Sequence, residues 1–332
     1  MAADANRIWA VIPVAGSGKR LRPHTYTRPK PLLHVAGQPI IGHILDRLAR
    51  LGVSRIVLVV GYMGELIVDY VRGRRNFEVV ESVAQPEQLG LGHATLLSRP
   101  VVGEDPMMIV YGDTIFECDL SSVLKRSEDA TIGVKQVEDP SRFGVVVEEA
   151  GKVSRLVEKP ETFVSDLAIV GVNMVANSRL LFDCLQEMVA AAQRTRGEYQ
   201  LTDGFQRMLE AGANLGCFPI DHWFDCGTQE ALLATNRHML EGNVSPDVAD
   251  GTVILPPVHI DSSAAISGSV IGPYVSVGAG SKVASAVIRN SILGEQATVK
   301  DVVLEDSIVG FQAVVVGSAS SLNVGDLSEI RH

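Results

Sequence analysis

Cysteine is scarce in this chain, and long apolar runs are absent. The four cysteines, at positions 118, 184, 217 and 226, form no CxxC or CxxxH grouping, which argues against a zinc site or a disulfide framework and favours a reducing compartment. No apolar stretch approaches the roughly 20 residues that a membrane helix needs. The first residues lack a charged segment followed by a long apolar one, so we expect no signal peptide and a soluble, cytoplasmic protein.

The chain also lacks an excess of basic residues over acidic ones. The net charge is -10 over 332 residues, which argues against nonspecific binding of nucleic acid. At 46% hydrophobic and 20% charged residues, the chain has enough apolar material for a core and does not have the composition of a disordered protein. An acidic chain of this kind that binds an anion needs a local basic site.

A local basic site does follow the first apolar run. The stretch VIPVAGSGKRLRPHTYTRPKPLL, residues 11–33, holds a Gly-Ser-Gly turn and five cations, namely Lys19, Arg20, Arg22, Arg28 and Lys30. A Walker A loop is excluded because Arg20 stands where Ser or Thr is required, and a dinucleotide fingerprint because Leu21 occupies the third glycine position. The stretch predicts a phosphate-binding loop of another kind.

From residue 7 to about residue 242, apolar strands alternate with amphipathic helices. The strands and helices in order are IWAVIPVA, PIIGHILDRLARLG, RIVLVVGY, ELIVDYVR, FEVVESV, GHATLLSRP and MMIVYGD. Continuous apolar strands between helices predict an α/β domain over 1–242, with a mostly parallel, Rossmann-like sheet covered by helices. Ligands bind such sheets at the carboxyl ends of their strands.

After residue 251 the composition changes to Val, Ile, Ser and Gly. Apolar residues recur every five or six positions, at Ile254, Ile260, Ile266, Ile271, Val277, Val283, Ile288, Leu293, Val299, Leu304, Val309 and Val315. A repeat near six, with small residues directly after several of these positions, is typical of a hexapeptide β-helix. Residues 251–332 are therefore predicted to form a short left-handed parallel β-helix of about four coils, each stacked on the next.

The glycine stretch also resembles a known family. GSGKRLRPHTYTRPKPLLHVAGQPII is similar to the loop of sugar-phosphate nucleotidyltransferases, whose pattern is roughly GxGTRLxPxTxxxPKPLxxVxxxPxI. Further segments match in the family's order: QPEQLGLGHA (85–94), YGDTIF (111–116), RFGVV (142–146), EKP (158–160), IVGV (169–172), GEYQLTD (197–203) and WFDCGT (223–228). The resemblance covers almost all of residues 7–242. It favours glucose-1-phosphate thymidylyltransferases and related uridylyltransferases, whose long members carry a β-helical tail.

The resemblance implies a reaction in which a sugar-1-phosphate oxygen attacks the α-phosphorus of a nucleoside triphosphate and releases pyrophosphate. It implies phosphate contacts in catalysis by Arg20, Lys30 and Lys159, and nucleotide binding by Gly16, Ser17, Gly18, Gln85 and Gly90. It implies sugar binding by Gly144, Glu158 and Val170, and Mg²⁺ binding by Asp113 and Asp225. These residue types suit the roles, since arginine can bind two phosphate oxygens at once and Mg²⁺ prefers carboxylate oxygens.

Several questions stay open at this point. Lys19 stands where the family usually has threonine, and it either adds a charge beside the triphosphate or points to solvent. The expected substrates are dTTP or UTP with glucose-1-phosphate. The alternatives are GTP with mannose-1-phosphate and ATP with glucose-1-phosphate.

Two other classes of function are alternatives for this sequence. A catalytically silent subunit that senses sugar nucleotides would be expected to lose Arg20, Lys30 or Asp113, which are all present. An acyltransferase activity in the tail would depend on His259, its only internal histidine. A role in assembling a homodimer or homotetramer is the more direct expectation for the tail, because fold alone does not give function.

Overall fold

The structure is a computed structural model that describes residues 5–149, 151–242 and 251–317. The chain forms two compact units. One contains the residues up to Leu33 together with Pro39–Ala231, and the other contains His34–Gln38 together with the chain from Leu232 onward. Residues 243–250, where the sequence predicts the domain boundary, and 318–332, the predicted end of the β-helix, lie outside the described residues. The division at 242 and 251 stays a prediction.

The strands up to residue 242 are β1 (Trp9–Val14), β2 (His34–Val35), β3 (Gln38–Pro39), β4 (Arg55–Val60), β5 (Val79–Ala84), β6 (Met107–Val110), β7 (Thr114–Glu117), β8 (Ala130–Gln136), β9 (Gly144–Glu149), β10 (Lys152–Glu158), β11 (Leu167–Val175), β12 (Leu215–Pro219) and β13 (His222–Asp225). The helices are α1 (Ile40–Arg50), α2 (Gly64–Arg72), α3 (Leu91–Leu97), α4 (Arg99–Val102), α5 (Leu120–Val123), α6 (Ser178–Ala190), α7 (Leu201–Glu210) and α8 (Gln229–Leu240). Short 3-10 turns cover Ala5–Arg7, Lys19–Leu21, His24–Tyr26 and Lys30–Leu32.

A nine-stranded sheet forms the centre of the first unit. Its main path runs β10-β9-β11-β6-β1-β4-β5, and β8 and β12 extend it from β11. The strands β6, β1, β4 and β5 are parallel to one another, whereas β11 is antiparallel to β6, β8 and β9. The parallel part brings the carboxyl ends of β1, β4, β5 and β6 to the same edge of the sheet.

Both faces of the sheet are covered, because successive side chains of a strand point to opposite faces. Along β1, Ala10 and Ile12 join a buried cluster that includes α1 and α2, while Trp9 and Val11 join a second cluster that includes α6 and α7. Helix α1 buries residues at helical spacing, namely Ile41, Ile44, Leu45 and Leu48. Among the described helices, none is both long enough and apolar enough to cross a membrane.

The second unit contains a parallel β-helix. Its strands are β14 (Val253–Ile254), β15 (Val258–Ile260), β16 (Ala265–Ser267), β17 (Val270–Ile271), β18 (Val275–Val277), β19 (Lys282–Ala284), β20 (Val287–Arg289), β21 (Ile292–Leu293), β22 (Thr298–Lys300), β23 (Val303–Glu305), β24 (Ile308–Val309) and β25 (Val314–Val316). They form three sheets of four parallel strands each, so the described residues make four coils.

The apolar repeat read from the sequence is the interior of these coils. In one sheet Ile254 pairs with Ile271, Ile271 with Ile288, and Ile288 with Leu304, one coil after another. The other two sheets stack the remaining residues of the repeat in the same way. The predicted fold class, a Rossmann-like sheet covered by helices and followed by a left-handed parallel β-helix, is confirmed.

Candidate active site

A cleft of about 520 Å³ opens at the carboxyl edge of the parallel strands. The glycine loop follows β1, Gln85 follows β5, and Tyr111 to Asp113 follow β6, so three strand ends supply its wall. The lining includes the predicted nucleotide and phosphate contacts, namely Gly16, Ser17, Gly18, Arg20, Lys30, Gln85, Gly90 and Asp113. Residues that lie up to about a hundred positions apart thus meet at one place because the sheet is parallel there.

The glycine loop presents unused hydrogen-bond donors to this cleft. Within the described chain, the backbone N–H groups of Gly16, Ser17 and Gly18 have no acceptor. Gly18 has a φ of 58°, and its carbonyl oxygen accepts a hydrogen bond of 2.9 Å from Thr25 Oγ1, which fixes the turn. Successive free N–H groups in such a turn form a concave site for an anion, so the loop is suited to phosphate.

Asp113 and Asp225 lie side by side although 111 residues separate them in the sequence. Asp113 immediately precedes β7, and Asp225 ends β13, the antiparallel partner of β7. The register pairs Asp225 with Thr114, the residue next to Asp113. This two-stranded ladder is the structural reason that the two carboxylates, which the sequence could only associate through a family resemblance, reach the same point.

Lys30 joins the two aspartates. Its Nζ lies 2.8 Å from Asp113 Oδ2 and 3.5 Å from Asp225 Oδ1, and its side chain is only 8% exposed. A buried ammonium group is costly unless it is paired, and these carboxylates pair it. Arg20 approaches the same group more loosely, with Nη2 4.0 Å from Asp225 Oδ2. Two cations and two anions therefore meet beside the glycine loop.

The donor set of this group fits a magnesium ion. The carboxylates of Asp113 and Asp225 supply oxygen ligands, and at 45% and 40% exposure their side chains are open to the solvent side. Mg²⁺ binds through one or two carboxylates together with waters and substrate phosphate oxygens, which is what two partly exposed aspartates beside an anion loop can offer. Asp113 and Asp225 are the residues that would hold the ion.

Gln85 and Gly90 lie together at another wall of the cleft. Gln85 is 5% exposed, and its Nε2 donates to the carbonyl oxygen of Gly90 at 3.2 Å. Gly90 has a φ of 106°, and a Cβ there would lie 2.6 Å from the carbonyl oxygen of Tyr199, so the position requires glycine. Tyr199 in turn donates its N–H to Leu89 O at 2.8 Å, which fixes this wall.

Three of the four remaining predicted residues form a second group. Glu158 faces Gly144 across the β9–β10 pair, and its Oε2 accepts 2.7 Å from Thr202 Oγ1. A Cβ at Gly144 would lie 2.4 Å from that hydroxyl oxygen, so this glycine makes room for the contact. Lys159 Nζ lies 3.2 Å from Glu158 Oε1. Val170 is fully buried in the apolar core with its side chain among core residues, and neither it nor the other three lines the cleft.

Sequence reasoning missed four residues of the site. Tyr111 and Gln88 line the cleft, and Gln88 Nε2 donates 2.8 Å to Ala15 O at the base of the glycine loop. Burial raises the pKa of Tyr111, and the carboxylates of Glu158 and Asp113 raise it further. The charges of both groups thus act on Tyr111.

The two other missed residues are Arg196 and Gly227. Arg196 Nη2 donates 3.0 Å to Lys159 O, and a Cβ at Gly227 would lie 2.7 Å from Arg20 Nη2. All four lie within or next to motifs that the sequence analysis quoted. Their position in those motifs was the only signal that could have found them.

A Rossmann-like sheet with a glycine loop, paired carboxylates and a buried lysine at its strand ends is an arrangement suited to a transferase that acts on nucleotides. Comparison with known proteins agrees, because the family model for nucleotidyl transferases matches residues 9–242. The chain belongs to the nucleotidyl transferase family, which confirms the resemblance to sugar-phosphate nucleotidyltransferases and the assignment as an enzyme of that class.

Three similar proteins illustrate the match. Bifunctional protein GlmU of Methanococcus vannielii is 34% identical over 79% of this chain, although the match spans only 60% of the GlmU chain. A glucose-1-phosphate thymidylyltransferase of Streptomyces griseus is 32% identical over 94% of this chain and 88% of its own. A crystal structure assigned as a glucose-1-phosphate thymidylyltransferase of Bacillus anthracis, in complex with sucrose, has a TM-score of 0.64 at 28% identity, covering 72% of this chain and 98% of that one.

Proposed function

We propose that this protein transfers a nucleotidyl group from dTTP or UTP to glucose-1-phosphate with Mg²⁺ as cofactor. An oxygen of the sugar phosphate forms a bond to the α-phosphorus, the bond from that phosphorus to the β-phosphate bridging oxygen breaks, and pyrophosphate leaves. The observation that carries the proposal is the convergence of Lys30 on Asp113 and Asp225 beside the free N–H groups of the glycine loop.

Each part of the chain has a role in bringing two anions together. The loop N–H groups and Arg20 hold the triphosphate and neutralise its charge, and arginine can bind two of its oxygens at once. Lys30, fixed by its burial, supplies a positive charge where pyrophosphate leaves. A bound Mg²⁺ ion would polarise the phosphoryl oxygens. Positioning and charge neutralisation of this kind account for most of the catalysis of phosphoryl transfer.

The sugar phosphate is assigned to the second group. Glu158, held by Thr202, would accept hydrogen bonds from sugar hydroxyls, and Lys159 would hold the sugar phosphate. Arg196 fixes the backbone of Lys159 through its carbonyl oxygen and adds a further positive charge on this side. Val170 can contribute only through its backbone, because its side chain is in the core.

A profile of substrates tests the proposal. The purified protein with Mg²⁺ is assayed with dTTP, UTP, CTP, GTP and ATP against glucose-1-phosphate and mannose-1-phosphate, with pyrophosphate and the nucleotide sugar both measured. We expect the highest kcat/KM for dTTP or UTP with glucose-1-phosphate, and loss of activity with a chelator. Preference for GTP with mannose-1-phosphate or for ATP would refute the substrate assignment, and tight binding without turnover would favour the silent subunit.

The described part of the β-helix gives no support to acyl transfer. His259 Nε2 is buried without a hydrogen-bond partner in the described chain, and the imidazole packs against Gly37. Burial lowers the pKa of this imidazole. Assembly of a homo-oligomer through the β-helix remains our proposal for the tail, and size measurement in solution by light scattering tests it. A monomer at micromolar concentration would contradict it.

A further inference from the structure

The amide of Gln85 is held in one orientation at the cleft. Its backbone N–H donates 2.7 Å to Val60 O at the end of β4, so its position is fixed by the sheet. The side chain is almost fully buried and still lines the cleft. A terminal amide in such a place can present either its oxygen or its NH₂ group to a ligand, and its neighbours decide which.

Both amide hydrogens of Gln85 are directed at groups of the protein. Nε2 lies 3.2 Å from the carbonyl oxygen of Gly90 and 3.1 Å from His93 Nδ1. A carbonyl oxygen only accepts, so the nitrogen must lie on that side. The second hydrogen then requires a lone pair on His93 Nδ1, which means a neutral imidazole with its proton on Nε2. Within the described chain, no donor reaches Gln85 Oε1.

An amide oxygen directed at a nucleobase selects for a donor. Uracil and thymine carry a hydrogen on ring nitrogen N3, whereas the same nitrogen of cytosine carries a lone pair. We propose that His93 is a positioning residue for base selection: by accepting the second amide hydrogen of Gln85, it turns Oε1 toward the ring N–H of a pyrimidine dione and disfavours cytosine. This proposal deepens the proposed function and rests on its assignment of Gln85 to the base.

The surroundings of His93 favour the neutral form of the imidazole. It lies on α3, its ring centroid is 6.3 Å from that of Tyr199, and Glu87 and Arg194 are the charged groups that act on it. Burial lowers the pKa of His93 below its usual value, Glu87 opposes this, and Arg194 adds to it. Protonation would place a hydrogen on Nδ1 against the NH₂ group of Gln85. The preference for uracil should therefore be lost as pH falls through this lowered pKa.

Nucleotide binding without a sugar phosphate isolates this step. The probes are UTP, CTP and N3-methyl-UTP, which lacks the ring hydrogen, titrated calorimetrically into the full chain with Mg²⁺. His93→Phe keeps a ring but removes the acceptor, and His93→Asn offers an amide oxygen that can accept. We expect His93→Phe to reduce the UTP-to-CTP affinity ratio about tenfold, the value of one hydrogen bond to a buried group, and His93→Asn to keep it within about threefold.

Two further measurements distinguish a positioning role of His93 from a purely structural one. N3-methylation should weaken binding to the wild-type protein and cost less in His93→Phe. For the wild type, the UTP-to-CTP ratio should be constant at neutral and alkaline pH and should fall in the acid range, and His93→Asn should not show this fall. If His93→Phe does not fold, as judged by thermal unfolding, the pH series of the wild type and His93→Asn decide the question.

Equal weakening of UTP and CTP by His93→Phe would overturn the proposal, as would an unchanged ratio or a wild-type ratio that is flat with pH. The result is separable from the fate of the proposed function. A protein that discriminates UTP from CTP but forms no nucleotide sugar refutes the proposed reaction, and the effect of His93→Phe on the ratio still decides the role of His93.

Discussion

The coils of the β-helix and the cleft at the edge of the sheet use side chains in opposite ways. In the coils, each interior position repeats the one before it, as Ile271 and Ile288 do, so cohesion is shared among many equivalent contacts. In the cleft, Lys30, Asp113 and Asp225 each occur once and come from three separate segments. Losing one coil contact should weaken the fold without changing the chemistry, and losing one cleft residue should do the reverse.

The largest loss of activity is expected from a substitution at Asp113. Asp113→Asn removes a carboxylate that would hold Mg²⁺ but keeps an oxygen that can accept from Lys30, so no cavity forms. We expect kcat to fall about a thousandfold, equivalent to about 4 kcal/mol of transition-state stabilisation by the metal site. Steady-state kinetics at saturating Mg²⁺ measures the loss.

The control for this change is Asp69→Asn, which alters an exposed aspartate of α2 and should leave kcat unchanged. Thermal unfolding should place both variants within a few degrees of the wild type. Normal turnover by Asp113→Asn would contradict the assignment of Asp113 to the metal.

The converse change is Ile288→Ala in the interior of the coils. Ile288 is fully buried between Ile271 and Leu304, and truncation of such a side chain costs about 2–4 kcal/mol of unfolding free energy. Chemical denaturation measures this loss. We expect kcat/KM of the folded protein at low temperature to stay within about twofold, since no catalytic group is touched.

Val303→Ala is the matched control, because Val303 faces outward on the neighbouring coil and is 73% exposed. It should change the unfolding free energy by no more than about 0.5 kcal/mol. If Ile288→Ala abolished turnover while the protein stayed folded, the separation between the two regions would fail.

Arg20→Lys sharpens the contrast within the cleft. The substitution keeps the positive charge but removes the guanidinium group, which can bind two phosphate oxygens at once. In the wild type, Arg20 lies 4.0 Å from Asp225, so this weak ion pair leaves the guanidinium able to bind a ligand. We expect about a tenfold fall in kcat/KM for the triphosphate, the value of about 1.4 kcal/mol. Arg50→Lys on the exposed end of α1 is the control. Equal kinetics for Arg20→Lys and the wild type would show that only the charge of Arg20 matters.

The same contrast explains what the sequence could and could not predict. The coils were predicted residue by residue, because each coil is set by a local repeat and the register of the strands follows from it. The order of strands and helices up to residue 113 followed from apolar periodicity, whereas the individual elements from there to residue 242 were not predicted. The pairing of β7 with β13 could not be predicted from periodicity, since it joins segments about a hundred residues apart, and only the family resemblance associated their aspartates.

The partners of individual side chains could not be predicted for a similar reason. The hydrogen bond from Arg196 to the carbonyl oxygen of Lys159, and the charges of Glu158 and Asp113 that act on Tyr111, depend on how loops fold back on strand ends. A sequence motif identifies such residues but does not show which groups they contact. Val170 shows the opposite case, because a residue within a matching motif has its side chain in the core.

The smallest effect is expected at Lys19, where this chain departs from the family pattern. Lys19 lines the cleft, is exposed and has no ion pair in the described part of the chain. An exposed charge near a triphosphate is strongly screened by salt, so Lys19→Thr should raise KM for the triphosphate about two- to threefold at low salt and change it little at 0.5 M salt. KM measured across a salt series checks this. A fall in kcat/KM as large as that of Arg20→Lys, or an effect that salt does not reduce, would show that Lys19 contacts the phosphate directly. Lys19 would then join Lys30, Asp113 and Asp225 as a residue of the cleft that cannot be replaced.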